Sequence, residues 1–105
     1  MVDKTSYLLC KLMEECAEII QVSSKAIVFG LDSHHPNDVD RLQNFTKIKM
    51  EFNDLIGVIT MLEDLGIFNG KAFNEDMVRN KMKKVEHFME ISRKLGKLEP
   101  ETKTT

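Results

Sequence analysis

Residues 4–29 read KTSYLLCKLMEECAEIIQVSSKAIVF, and the spacing of their apolar side chains decides the fold. Leu8, Leu9, Leu12, Met13, Cys16, Ile19, Ile20, Ala26 and Ile27 recur at helical steps, which lines them up as a buried stripe on a rod with 3.6 residues per turn. Gly30 comes next as a C′ residue able to end the helix. The nine residues from Gly30 to Asp38, GLDSHHPND, carry the Gly, Pro, Asn and Asp content of a loop, and Asn37 and Asp38 stand where they could cap the second helix. That second helical run spans about 39–65, with Leu42, Phe45, Ile48, Phe52, Leu55, Ile56, Ile59 and Leu62 on one face and Gly66 just beyond. Residues 66–73 form a connector with room for one short helical turn. Asn74 then reads as an N-cap, with Glu75 and Asp76 favoured by the helix dipole and Phe73 and Val78 set for a hydrophobic staple. The third helix runs to about Leu95 through Met77, Val78, Met82, Val85, Phe88 and Met89. The polar tail, 97–105, is expected to fray.

The rest of the composition agrees. Two prolines, five glycines, seven methionines and no tryptophan in 105 residues favour helices over a turn-rich β architecture. The length suits a single domain, 1–105. A chain this short leaves roughly a third of its unfolded-state surface exposed, so the expected unit is a homodimer or homotetramer. The predicted fold is all-α, a bundle of three long helices per protomer whose four-helix core is completed by a second chain. A hydrophobic fraction of 42% with 30% charged residues is too apolar for disorder.

Charge and cysteine usage narrow the class further. Fifteen Lys and Arg against 17 Asp and Glu give a net charge of −2, which argues against a polyanionic duplex as the partner. No stretch approaches 18 apolar residues and nothing at the N-terminus reads as a cleavable signal, so neither a membrane nor secretion is expected. Cys10 and Cys16 lie six residues apart on one helix, about 120° apart around its axis, and cannot bridge each other. They read as small apolar fillers in a cytoplasmic, reducing setting.

The informative anomaly is acidic. Glu15 falls among Leu8, Leu12, Ile19 and Val22 and points toward the core, and Glu18 lies about 60° further round and one turn on. Glu51 repeats this among Ile48, Leu55 and Val58, with Asp54 three residues later. Glu14 turns away to the surface. Four carboxylates at the edge of a buried stripe repel one another and resist desolvation, so a cation is missing. An oxygen-only ligand set suits Mg²⁺, or Mn²⁺ in its place, better than Zn²⁺, which prefers His or Cys.

Glu15-Cys-Ala-Glu18 followed by Glu51-Phe-Asn-Asp54 resembles the Glu-x-x-Glu and Glu-x-x-Asp signature of the MazG-like all-α nucleoside triphosphate pyrophosphohydrolases. Lys25-Ala-Ile-Val-Phe29-Gly30 resembles the end of that family's first long helix, and Asn80-Lys81-Met-Lys-Lys84 its later phosphate-facing basic segment. The resemblance covers about residues 8–90 and is most specific at the acidic pairs. It implies Mg²⁺-dependent cleavage of a nucleoside triphosphate between the α and β phosphates in a helical dimer or tetramer. Glu15, Glu18, Glu51 and Asp54 would be the metal ligands and catalytic acids, and Lys25, Asn80, Lys81 and Lys84 would contact substrate. Two features depart from the family pattern: thirty-two residues separate Glu18 from Glu51, and Glu51 is followed by Phe52 and Asn53 where further acids are common, which leaves the number of metals open.

A triphosphate carries about four negative charges, so acids can approach it only through a divalent ion. Lys81 and Lys84, one turn apart, and Lys25 are the candidate clamps for outer phosphates. Asn44 and Asn80 are candidates for base edges, with Phe29 or Phe45 for stacking. The adjacent His34 and His35 diverge and are placed at the surface or against a base. Two other readings stand beside the enzyme: a non-catalytic helical interaction module whose acids pair with Lys or Arg across a subunit interface, and a nucleotide or metal sensor that keeps the site without the chemistry.

Overall fold

A computed structural model of the chain describes residues 1–102. It is all-α, with helices α1 (Lys4–Phe29), α2 (Asn44–Asp64) and α3 (Glu75–Lys94), and no helix among the described residues is long and apolar enough to cross a membrane. The chain divides into two compact units, one from Met1 to Ala72 and one from Phe73 onward.

In the first unit α1 and α2 pack on each other as an antiparallel hairpin. α1 starts at Asp3, whose carboxylate accepts from the Ser6 N–H at 2.7 Å, and stops at Gly30, whose φ of 98° lies in the glycine-favouring region and whose N–H donates to the Ala26 carbonyl at 2.8 Å. The packed seam is narrower than the apolar stripe in the sequence. The shielded row on α1 is Leu8, Leu12, Glu15, Ile19, Val22 and Ala26, and on α2 it is Asn44, Ile48, Glu51, Leu55, Val58 and Leu62. Both rows alternate steps of four and three, the spacing that keeps a straight seam between two helices. Leu62 is fully buried. Glu15 and Glu51 therefore occupy seam positions otherwise given to aliphatic side chains and Asn44.

The remaining apolar residues form a second row, exposed in the protomer: Leu9, Met13, Ile20 and Ile27 on α1 and Phe45, Phe52 and Ile56 on α2. Cys10 and Cys16 are likewise exposed free thiols, not buried fillers, because the seam passes beside them through Leu12, Glu15 and Ile19. Glu14 is on the surface, paired with Lys11 at 3.0 Å.

The start of α2 corrects the sequence reading. The helix begins at Asn44 and not near 39. Arg41 has a φ of 53°, a left-handed conformation that no helix continues through. Asp38 does not cap α2; its carboxylate instead accepts from the Asp40 N–H at 3.1 Å and pairs with Lys47. Helix α2 has no side-chain cap among the described residues. Its first N–H groups are satisfied across the hairpin, Asn44 N donating to the Ser33 carbonyl at 2.7 Å and Phe45 N to the Leu31 carbonyl at 3.1 Å, which meets the demand of helix-terminal donors by tertiary contact. The fully buried Asn44 side chain donates to the Gly30 carbonyl at 2.8 Å. It ties the end of α1 to the start of α2.

Beyond α2, residues 65–68 form turns and no further helix precedes α3. In the second unit, Asn74 caps α3 as read from the sequence, accepting from the Met77 N–H at 3.0 Å. Glu75 and Asp76 occupy the first turn and Arg93 and Lys94 the last, the charge order that the helix dipole favours. None of its residues is buried; Met77, Val78, Met82, Val85 and Phe88 are all exposed, as is Phe73 of the expected staple. The expected frayed tail runs past the described residues, and at its start Lys97 and Leu98 donate to the Ser92 carbonyl.

Candidate metal centre

The hairpin register brings the two acidic pairs together. One carboxylate oxygen from each of Glu15, Glu18, Glu51 and Asp54 lies within 4.8 Å of the others. Glu15 and Glu51, from the seam, are half-buried, and Glu18 and Asp54, one turn further round, are exposed, so the cluster has a sealed floor and a wet mouth. Oε2 of Glu15 and Oε2 of Glu51 are both closed off from solvent with no hydrogen-bond donor. A shielded anionic oxygen without a donor is costly, and two of them belong to one cluster.

The electrostatics carry the strain. Glu51 is pushed up to about 7, first by a side-chain hydrogen bond with another carboxylate, Glu18, which requires a shared proton, then by desolvation and by the charges of Glu18, Asp54 and Glu15. Glu15 is raised by desolvation first, then by the charges of Glu18 and Asp54. A divalent cation relieves all of these penalties at once. The donor set fits one: octahedral coordination at about 2.1 Å places ligand oxygens about 3 to 4.2 Å apart, within the span the cluster already has. Four carboxylates with no nitrogen or sulfur donor make a site that could hold a hard divalent cation of the Mg²⁺, Ca²⁺ and Mn²⁺ class.

A cleft of about 380 Å³ includes two residues of the cluster, Glu18 and Glu51, in its lining, with Lys25 and Lys47 also on its wall. Lys25, expected to contact substrate, is thus on the same cleft as the acids. Asn80, Lys81 and Lys84 lie on α3 in the second unit and are exposed. Asn44 is not a base reader, since it has no exposed surface and its amide nitrogen donates inside the hairpin to the Gly30 carbonyl. Phe29 meets the His35 ring edge-on, with centroids 4.9 Å apart, and Phe45 is exposed. Both histidines are half-buried: His34 Nδ1 lies 2.9 Å from the His35 carbonyl, and His35 Nδ1 accepts from the Asn37 N–H. Lys47 is the cleft residue the sequence reading passed over. Its signal was available, because it sits four residues before Glu51 and therefore on the same helix face.

Among known proteins, no family model, no curated relative and no solved structure matches the chain.

Proposed function

We propose that this protein is a Mg²⁺-dependent nucleoside triphosphate pyrophosphohydrolase that cleaves the α–β phosphoanhydride to release the nucleoside monophosphate and pyrophosphate. The observation that carries the reading is the convergence of four carboxylate oxygens within 4.8 Å, two of those side chains having an oxygen shielded from water and without a donor. Paired surface acids would turn those oxygens to solvent. A bound Mg²⁺, or Mn²⁺, supplies charge neutralisation of the phosphates and acidification of a water for in-line attack. Glu15, Glu18, Glu51 and Asp54 would hold the ion, and one of the glutamates would accept the proton of the attacking water. The protein's positive groups stabilise the departing pyrophosphate. Lys25 lies on the cleft wall and is the substrate contact this proposal draws from the first unit; Lys81, Lys84 and Asn80 lie in the second unit, and their role in substrate binding rests on the sequence resemblance alone.

The same reading includes self-association. The exposed apolar rows of α1 and α2 leave a hydrophobic face of the hairpin in water, and a homodimer or homotetramer covers it. The direct test is to incubate the purified protein with each common nucleoside triphosphate, deoxy forms included, with and without Mg²⁺, and to quantify pyrophosphate. Metal-dependent release supports the assignment; no release from any of them, modified bases included, refutes it.

A further inference from the structure

Lys47 and Lys25 stand at the junction of two recesses. Both line the 380 Å³ cleft that holds Glu18 and Glu51, and both line a neighbouring recess of about 170 Å³ bounded by His35, Asn37 and Asp38. Lys47 is paired with Asp38, and this is a shielded pair, the two side chains being only 21% and 11% exposed. Lys25 makes no ion pair among the described residues. Lys47 precedes Glu51 by one turn, about 6 Å along the helix axis, which is within reach of a phosphate chain whose inner end is held at the acid cluster.

We propose that Lys25 and Lys47 form the pyrophosphate-binding wall of the cleft, and that Asp38 is the counter-ion Lys47 leaves when the phosphate chain enters. The proposal rests on the pyrophosphohydrolase reading and adds a direction to it: the leaving pyrophosphate points toward the loop between α1 and α2, and the nucleoside lies on the far side of the acids. The chemistry requires such a wall. Four carboxylates and a triphosphate bring more negative charge than one or two divalent ions cancel, and a lysine ammonium is a point charge that can change partners without deprotonating. Asp38 can be left behind without becoming an orphan, because its Oδ1 keeps the Asp40 N–H at 3.1 Å. The Lys47 ammonium beside it, the largest influence, holds the Asp38 carboxyl below its usual range, so Asp38 is a charged counter-ion before exchange.

Calorimetric titration of the intact protein with Mg²⁺ alone, and then with inorganic pyrophosphate at saturating Mg²⁺, tests this. Lys25→Met and Lys47→Met should each weaken pyrophosphate about tenfold or more, the loss of one charge-assisted contact, and leave the Mg²⁺ affinity in place. Asp38→Asn should tighten pyrophosphate, because Lys47 no longer abandons a charged partner. Lys25→Met breaks no ion pair and so tests the wall without disturbing the loop, and Lys47→Arg, which keeps both charge and pairing, should retain binding. Unchanged pyrophosphate affinity in both lysine variants overturns the proposal, as does weakening by Asp38→Asn equal to that of Lys47→Met, which makes the pair a structural tie. If the unaltered protein binds no Mg²⁺, the metal-centre reading itself fails; if it binds Mg²⁺ normally and only the lysine results go wrong, this inference alone falls.

Discussion

Glu51 provides the sharpest test of the metal centre, because a proton and a divalent ion compete for it. With its carboxyl pushed up to about 7 in the metal-free protein, it is about nine-tenths ionised at pH 8 and about nine-tenths protonated at pH 6. Binding that requires the ionised form is weakened by the factor 1 + 10^(pKa − pH), so the apparent Kd for Mg²⁺ should rise about tenfold from pH 8 to pH 6. A glutamate with its ordinary value would change it by only about 3% over that range. Melting should shift with it. Metal at about 100 times its pH 8 Kd stabilises by about 2.7 kcal/mol, and the same concentration at pH 6 by about 1.4 kcal/mol. At roughly 4–8 °C per kcal/mol for a domain of this size, the Mg²⁺-induced rise in Tm should be about 5–10 °C larger at pH 8.

The metal-free protein should move the opposite way. A carboxyl whose folded pKa is raised contributes stability that is complete below its unfolded value near 4.5 and is lost as pH rises through about 7, so this group makes the apo form less stable at pH 8 than at pH 5. Differential scanning calorimetry and Mg²⁺ titration at both pH values, on the unaltered protein and Glu51→Gln, measure each part. A Kd that is the same at pH 6 and pH 8 would refute the reasoning, as would a Glu51→Gln variant that keeps the pH dependence.

Activity, packing and assembly give further checks. Glu51→Gln and Asp54→Asn should each abolish pyrophosphate release while circular dichroism shows the helices intact, and Glu51→Gln should melt above the unaltered protein at pH 8 without metal, since it removes repulsion from a half-buried cluster; unfolding of either variant would instead identify structural ion pairs. Leu62→Ala should cost about 3 kcal/mol by denaturant titration, as expected for truncating a leucine with no exposed surface. Asn44→Ala should cost about 1–3 kcal/mol, because it leaves the Gly30 carbonyl without its amide donor, and hydrogen exchange should rise at the Asn44 and Phe45 amides. Sedimentation at micromolar concentration should give a dimer or tetramer; a clean monomer would contradict burial of the apolar rows between copies.

Much of this protein was legible in one dimension. Apolar spacing located three helices, with α1 ending where Gly30 indicated and α3 starting where Asn74 indicated and ending beside the expected Leu95, because helix periodicity and capping depend on residues only three or four apart. The same periodicity turned Glu15 and Glu51 toward the apolar stripe, and that is a local property of each helix. It could not say which part of a wide stripe packs: Leu9, Met13 and Cys16 belong to the stripe yet lie outside the α1–α2 seam.

What only the tertiary structure decided is register. Nothing local fixes how far α2 slides along α1, so neither acidic pair alone implies a four-oxygen cluster. The slide is set by contacts between residues far apart in sequence, the Asn44 side chain on the Gly30 carbonyl and the Asn44 and Phe45 N–H groups on Ser33 and Leu31. Those bonds also moved the start of α2 to Asn44 and freed Asp38 to meet Lys47. The sequence thus determined the rods and the faces their acids occupy, while the loop's long-range hydrogen bonds determined that the four carboxylates meet within 4.8 Å, since a helix specifies angles around its own axis and never its offset from a neighbour.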